Sequence, residues 1–529
     1  MLYVLAVACL VLISIALYDL MQRKHAILRN FPVLGHFRYF LEALGPELRQ
    51  YIVANNREER PFDRDQRRWI YASSKKEDDY FGFGTDEELE DSPNYIIIKQ
   101  SAFPLNEALP TEPSYDPTYQ IPCAKILGGY RKRRHAFRPK SIVNISAMSF
   151  GSLSPRAVEA LNKGCKLANC LQNSGEGGLA DYHRQGGEMV WQIGTGYFGC
   201  RNEDGTFNVE KFKAKLETFP IRAIEIKLSQ GAKPGLGGVL PAAKVTEEIS
   251  RIRLVPMGKD CISPASHSAF KSVDELLDFV ENLSDISGLP VGIKSAVGHM
   301  AFWEELAKRM RETGKMVDFI TVDGGEGGTG AAPLVFTDHV ALPFKMGVSR
   351  VYKIMAENDL HQKIVFIGSG KLGFPEASLF AFALGCDMIN IAREAMLSIG
   401  CIQAQKCETN RCPTGVATQS KWLMRGLDPE LKSARLANYV TVLRKEILRL
   451  SRACGVPHPS LVSSHSIEII NDRFQGKSIC ELFNYEQDWS VPSDKDIEEI
   501  TELMQRPRHL GKPAEAPVIK DTAPVPNQS

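Results

Sequence analysis

Three thiols fall close together late in the chain. Residues 401–417 read CIQAQKCETNRCPTGVA, so Cys401, Cys407 and Cys412 have the spacing C-x5-C-x4-C, with Pro413 directly after the last. Thiolates in one short loop can converge on a single metal centre, and a Cys-Pro step commonly closes an iron–sulfur loop. Three ligands are one short of a structural zinc. His267 is a conceivable remote fourth, but nothing in the sequence ties it to this loop. Three cysteines suit an iron–sulfur cube with one iron missing, and such a cluster moves electrons. The alternative is three unrelated thiols, which the clustering disfavours.

A second chemistry is written in glycines. DGGEGGTGAAP spans 323–333 and GSGKLG spans 368–373. Glycine lets the backbone approach a ligand closely, and successive exposed N–H groups make an anion cradle. The pattern GxGxxG occurs at Gly194, Gly325 and Gly368. Three copies in one chain argue that a single copy means little. The Gly368 copy is the best dinucleotide candidate, yet Pro375 follows it and no acidic residue stands about 20 positions on. A Walker A loop is excluded because Leu372 follows Gly370-Lys371. The expected ligand is a mononucleotide phosphate; the competing reading is glycine for turn geometry alone.

Cations form the third group. Lys227 lies on a predicted strand, Gln230 and Lys233 on the loop after it, Arg251 and Arg253 on the next helical stretch, and Lys294 at the end of another strand. A lysine can hold a carboxylate as a point charge, and an arginine grips it with two prongs. Lys294 could set its charge against an electron-rich ring. Taken singly, each lysine is as readily a solvated surface cation; their shared position at strand ends favours function. No Ser–His–Asp arrangement or HExxH motif is present.

These residues need a scaffold that gathers strand ends. From 141 to about 400, short apolar runs alternate with helical patterns. The predicted strands are 142–148, 169–174, 223–229, 261–264, 291–296, 319–325, 363–370 and 388–394. Helical patterns at 155–168, 273–283, 302–313 and 375–385 fall between them. Strand–helix alternation implies a parallel sheet with crossover helices, and eight units in this length suit a (β/α)8 barrel. A doubly wound sheet has the same rhythm, so periodicity alone leaves both open. In the barrel reading, residues just past the strand ends face the active site, and a common phosphate site follows strands 7 and 8.

The flanks differ in character. Residues 2–18 (LYVLAVACLVLISIALY) carry no charge, and Arg23, Lys24, His25 and Arg29 follow. Positive charge after the apolar run predicts a transmembrane helix with the bulk of the chain in the cytoplasm. A buried core helix or a cleaved signal are the alternatives. The expected organisation is an anchor over 1–22, an irregular N-terminal extension over 23–140 and a barrel with its cysteine loop over 141–425. A helical extension over 426–505, with an amphipathic helix at 431–453, and a disordered tail over 506–529 complete it. The basic run at 131–135 reads as a solvated face, with phosphate contact as the lesser alternative. Across 529 residues, 64 Lys and Arg balance 63 Asp and Glu, so no nucleic-acid partner is expected. Apolar residues at 43% exclude wholesale disorder.

Together the motifs resemble a family. ISAMSFGS (145–152), NSGEGG (173–178), QGAKPGxGG (230–238), ISP (262–264), DGGEGGTGAAP (323–333) and C-x5-C-x4-CPTGVATQ (401–419) run in the order found in the FMN-binding synthase domain of glutamate synthases. The resemblance covers about 140–425. It implies an α/β fold of (β/α)8 TIM-barrel type carrying FMN and a 3Fe–4S cluster. Its implied reaction takes 2-oxoglutarate and ammonia through 2-iminoglutarate to L-glutamate, an oxidoreductase activity on CH–NH2 groups. By the resemblance, Cys401, Cys407 and Cys412 bind the cluster, and Lys233, Gln230 and Arg253 hold the oxo-acid. Lys294 contacts the flavin where charge collects on reduction. The flavin set comprises Ala147, Met148, Ser149, Gln172, Lys227, Asp323, Gly324, Gly325, Gly327, Gly328, Thr329, Gly330, Gly368, Ser369, Gly370, Ala392 and Arg393.

The departures shape what is expected. Large glutamate synthases begin with a glutaminase domain; here residue 2 is Leu and an apolar segment stands in that place. Nitrogen would therefore come from free ammonia or a partner, in a stand-alone, membrane-anchored branch of the family. Leu236 and Val239 occupy positions where the family has Glu and Gln, and IAREAM (391–396) replaces a Gly-rich stretch. The alternatives are a flavin enzyme acting on another amine or oxo-acid, such as an N-alkylglutamate, a tethered electron carrier, and a Rossmann dehydrogenase. The electron donor is left open between a donor protein and a quinol pool.

Overall fold

The computed structural model describes residues 1–22, 24–77, 84–85, 87, 89, 92–471, 475–487 and 489–506. The expected tail lies outside them from 507 on, as does much of the acidic stretch 77–93. The chain forms two compact units, Met1–Trp69 and Ile70–Ser529.

In the larger unit eight strands close into a barrel: β1 (Val143–Ile145), β2 (Gln172–Asn173), β3 (Met189–Ile193), β4 (Ile221–Lys227), β5 (Val291–Ser295), β6 (Phe319–Asp323), β7 (Val365–Ser369) and β8 (Met388–Ile391). Every neighbouring pair is parallel, and β8 closes on β1 with Asn390 opposite Asn144. This is the TIM barrel and not the doubly wound sheet. One strand assignment is corrected. Cys261–Ile262 is not a barrel strand; it pairs antiparallel with Val239–Leu240 in a ribbon. Its place is taken by MVWQI at 189–193, where Met189, Trp191 and Ile193 are buried. CISP ends in Pro264, which has no N–H for a ladder, and Ile262 is exposed, whereas strands of a parallel barrel are buried on both faces.

The barrel interior changes character with height. At the N-terminal end Cys123, Leu127, Ala223, Phe319, Val365, Ile367 and Met388 form an apolar plug. Leu127 pairs with Phe137 in a short antiparallel bridge at that end. Above it lies a buried polar layer. Glu225 of β4 accepts hydrogen bonds from Asn173 Nδ2 (2.8 Å), Gln192 Nε2 (2.6 Å) and Thr321 Oγ1 (2.7 Å). With its oxygens so satisfied, the carboxylate avoids the penalty of an unpaired buried charge. The third level is the C-terminal mouth.

Outside the barrel, the helix Pro155–Ala168 starts where Ser154 Oγ accepts from Ala157 N (3.2 Å) and stops at Asn169 in the left-handed conformation. The helix Pro429–Ala453 lies along it; a Cβ at Gly164 would meet Leu436 Cδ2 at 2.7 Å, so this position takes only glycine. Part of the basic run is structural: Arg131 and Arg133 both pair with Glu281 (2.9 and 2.7 Å), and Arg133 also with Asp318 (3.0 Å).

The smaller unit begins with helix Leu2–Met21, which is long and apolar enough to cross a membrane and is exposed over most of its length. A buried core helix is thereby set aside for this segment; a membrane span and a signal sequence share these properties. A short helix (Ala26–Asn30) and a longer one (Leu34–Leu48) follow.

Candidate functional site

The predicted cations meet at the C-terminal mouth. Lys227 ends β4 and stands beside Lys294 of β5 in register. Burial at a strand end needs a counter-charge, and Lys227 Nζ has one: it donates to Glu176 Oε1 (2.8 Å) and to Gln230 Oε1 (2.6 Å). Glu176 belongs to the NSGEGG loop after β2. Its carboxylate fits against two glycines; a Cβ at Gly194 or Gly238 would lie 2.6 or 2.1 Å from its oxygens. Burial alone would raise the Glu176 pKa, but Lys227, Arg253 and Lys233 outweigh it and hold the group below the ordinary carboxylate range. Burial pulls the Lys227 pKa down, and Glu176 opposes that shift.

Lys233 extends from the loop after β4 to the loop after β6, donating to Ala331 O at 2.7 Å. Burial, then repulsion by Lys227, push its pKa down to about 8. The same two loops touch at Gly231, whose N–H donates to Asp323 Oδ2 (2.9 Å) and whose Cβ, were there one, would sit 1.8 Å from Gly324 O. Arg253 ends the helix Glu247–Arg253, is buried, and donates to Phe150 O (2.8 Å) in the loop after β1. Its Nε has no hydrogen-bond partner among the described residues. Lys294 is 5% exposed; its carbonyl accepts from Leu228 N (2.9 Å), and its ammonium has no hydrogen-bond partner among the described residues. Lys227, Arg253 and Lys233 thus act on Glu176, with Lys294 beside Lys227; even with Asp323 close by, positive charge is in excess, which suits a dianion.

The glycine loops join this mouth from the other side. Gly324 N donates to Ser369 O (2.8 Å), which ties the loops after β6 and β7 together. Gly370 has φ +135°, a conformation that side chains disfavour, and a Cβ there would be 3.3 Å from Gly324. Arg393, just after β8, donates to Glu326 O, and a Cβ at Gly328 would meet its Cδ at 2.5 Å. Ala147, Met148 and Ser149 follow β1, where Gly175 packs so closely that a Cβ would stand 2.6 Å from Ser149 N. Gly325, Gly327, Thr329, Gly330, Gly368 and Ala392 belong to the same loops and strand ends. Gln172 does not join them. Its Oε1 accepts from Asn162 on the helix behind β2 (2.7 Å), so it faces away from the barrel axis, and Asn173 is the inward residue of that strand. Side chains alternate along a strand, so one position decides the face.

Two features fit a flavin mononucleotide: an unpartnered buried ammonium at the strand ends, and a glycine cradle without room for side chains.

Of the three thiols, Cys407 and Cys412 lie near one another and near Lys244, whose Nζ donates to Cys407 O (3.1 Å), Ala417 O (3.1 Å) and Ser152 O (2.7 Å). Burial would raise the Cys412 pKa, but N–H groups of Ala417, Thr414 and Val416 and the Thr414 hydroxyl turn the balance and lower it. Such a nest stabilises thiolate. Cys401 Sγ accepts from Gln403 N (3.4 Å), and its carbonyl accepts from Tyr71 (2.8 Å). Among the described residues no three His, Cys, Asp or Glu groups converge to hold a metal. Cys407 and Cys412 are the two thiols that act on one another electrostatically, and thiols are the donors an iron–sulfur centre takes. His267 is not a ligand: its ring nitrogens meet Tyr197 OH (3.0 Å) and Lys227 O (2.9 Å), and burial lowers its pKa to about 4.

Two members went unassigned from sequence. Glu176 is the lone acid between glycines in a quoted motif, a signal that was available. Lys244 carries none, being one lysine in AAKVT.

A family model described as the conserved region in glutamate synthase matches residues 121–457. The chain is 40% identical to the glutamate synthase large subunit-like protein YerD of Bacillus subtilis (strain 168), over 86% of this chain and 92% of that one. It is 35% identical to the archaeal glutamate synthase (NADPH) of Methanocaldococcus jannaschii, over 64% of this chain and 63% of that one. Among solved structures, a sulfite-bound flavocytochrome b2 variant aligns with a TM-score of 0.42 and 13% identity, over 89% of this chain and 95% of that one. A likeness that slight carries no argument.

Proposed function

Since this chain belongs to the glutamate synthase family of oxidoreductases, we propose that it reductively aminates 2-oxoglutarate to L-glutamate at the C-terminal mouth of its barrel. FMN is held by the loops after β6, β7 and β8, and a 3Fe–4S cluster by Cys401, Cys407 and Cys412. The observation that carries the reading is the cluster of Lys227, Lys233 and Arg253 around Glu176, with Lys294 beside Lys227. When bound, the flavin supplies a hydride and the cluster supplies single electrons.

The chain's own residues do the rest. Lys233 and Arg253 hold the carboxylates of the oxo-acid, and Gln230, fixed by Lys227, lines the same loop. These cations also keep Glu176 ionised, so it attracts and orients an ammonium ion beside the keto carbon. Once the ammonium has given its proton to water, ammonia adds at C2 and the keto oxygen leaves as water, giving 2-iminoglutarate; C2 of this imine is the carbon that would take the hydride the flavin supplies when bound. Lys294 sets an unpaired positive charge at the strand ends, where negative charge must be stabilised on reduction. Electrons arrive from a donor protein or a quinol pool, and nitrogen arrives as ammonia from solution or a partner. Helix Leu2–Met21 anchors the chain in a membrane with the barrel on the cytoplasmic side.

The test is anaerobic. Protein is purified in detergent, its flavin is reduced, and reoxidation is followed at visible wavelengths. Reoxidation that requires both 2-oxoglutarate and ammonia supports the proposal. Reoxidation by methylamine and 2-oxoglutarate, but not ammonia, moves the activity to N-alkylglutamates. Absence of flavin after expression with ample FMN and iron overturns the reading.

A further inference from the structure

The smaller unit holds a surface that the barrel chemistry does not use. Helix Leu34–Leu48 carries Leu34, Phe37, Leu41, Leu44 and Leu48, spaced 3-4-3-4 along one face and 39–76% exposed. At 100° per residue this is a stripe about 80° wide. Arg38 and Glu42, paired at 2.8 Å, lie off the stripe. The helix is tied to the long apolar helix at one place. Asp19, which is buried, accepts from Val33 N (2.9 Å) and pairs with His36 Nε2 (2.9 Å). Gly35 of this helix packs so tightly on Leu28 of the short helix Ala26–Asn30 that a Cβ would meet its Cδ2 at 2.9 Å. Val33 holds φ +62° in the turn. The hinge is thus built from specific contacts.

We propose that helix Leu34–Leu48 lies in the membrane–water interface, its apolar stripe in the acyl chains of the bilayer that helix Leu2–Met21 enters. This rests on the membrane reading of that first helix. Three observations choose a bilayer as the occupant. The stripe is continuous in the chain with an apolar helix and exposed like it. Lys24, Arg29, Arg38 and Arg49 are exposed around it, where lipid phosphates would meet them. Asp19 sits two residues from the end of the apolar helix, at headgroup depth, where an unpaired carboxylate is costly. Its pairing with His36 removes that cost and sets the angle at which the second helix leaves.

The test uses the full chain in phosphatidylcholine–phosphatidylglycerol vesicles whose acyl chains carry a quencher. A fluorescent amino acid replaces Val11, Leu41 or Ala43 in turn. Quenching at positions 11 and 41, about threefold or more above that at position 43, is expected for an interfacial helix. His36→Ala should reduce the contrast between 41 and 43 and leave position 11 quenched; an unchanged contrast overturns the latch. Equal signals at 41 and 43, with 11 quenched, overturn the interfacial helix and leave the anchor. No quenching at 11 sinks the membrane reading itself. Contact between copies at position 41 that does not depend on lipid assigns the stripe to a second chain and overturns the proposal.

Discussion

Replacing Glu176 with glutamine removes the carboxylate that faces Lys227, Arg253 and Lys233 while keeping the side chain's shape and one acceptor oxygen. Lys227 Nζ stands 2.8 Å from that carboxylate. A substrate carboxylate held by Lys233 or Arg253 would lie roughly two contacts away, about 7 Å. Two unit charges at that separation repel by about 1–2 kcal/mol at an effective dielectric of ~20–40. Losing the repulsion should tighten 2-oxoglutarate binding to the oxidised enzyme about 5- to 30-fold. Turnover should move the other way. The group that attracts and orients ammonium is gone, and a positioned acid or base contributes about 10²–10⁴-fold, so kcat should fall about 100-fold or more. Binding is read by titrating the flavin spectrum with 2-oxoglutarate, and turnover by glutamate formation. Weaker oxo-acid binding in Glu176→Gln would mean that the carboxylate organises the cations and does not compete with substrate. Unchanged turnover would remove Glu176 from the chemistry.

The remaining predictions concern other levels of the barrel. Lys233 has a pKa of about 8, below its ordinary lysine value, so its charge is present below pH 8 and lost above it; affinity for 2-oxoglutarate should fall as pH rises through about 8, and Lys233→Met should abolish that fall. A Kd that is flat across this range in the parent protein would refute it. Gly231→Ala places a methyl 1.8 Å from Gly324 O; overpacking of this kind costs about 1–3 kcal/mol or more, and both melting temperature and flavin content should drop. Glu225→Gln turns an amide NH2 towards side chains that donate to the carboxylate; a buried donor left unsatisfied costs about 1–3 kcal/mol, so an unchanged melt would contradict the assigned network. Cys412→Ser should lose iron by elemental analysis and keep flavin, whereas loss of both would point to misfolding of the loop.

The motifs announced the mouth of the barrel well before its walls. Lys227, Gln230, Lys233 and Lys294 were legible because strand ends in a barrel all face one way, so sequence position implies spatial convergence. The walls were harder. CISP and MVWQI are both short apolar runs, and only the closed sheet distinguishes a wall strand from a ribbon over a loop. Gln172 failed for a related reason, since a strand of two residues gives no alternation from which to read its face. Glu176 was overlooked because a carboxylate between glycines has no chemistry until its cationic neighbours are known, and these come from loops dozens of residues away. Arg131 and Arg133 illustrate the reverse case. Their charge run suggests an exposed surface, but their partners, Glu281 and Asp318, lie far along the chain.

The apolar plug beneath Glu225 also governs traffic. With the N-terminal end filled by Leu127 and its neighbours, the C-terminal face is the route by which reactants reach the barrel interior. The cysteine loop opens on that face too, since one lysine, Lys244, bonds both Ser152 of the loop after β1 and Cys407. On the proposed reaction, a donor protein that docks over the cysteine loop would cover the doorway the oxo-acid uses. Turnover would then run by alternation, with charging and discharging as separate visits, and steady-state lines at varied donor concentration should run parallel.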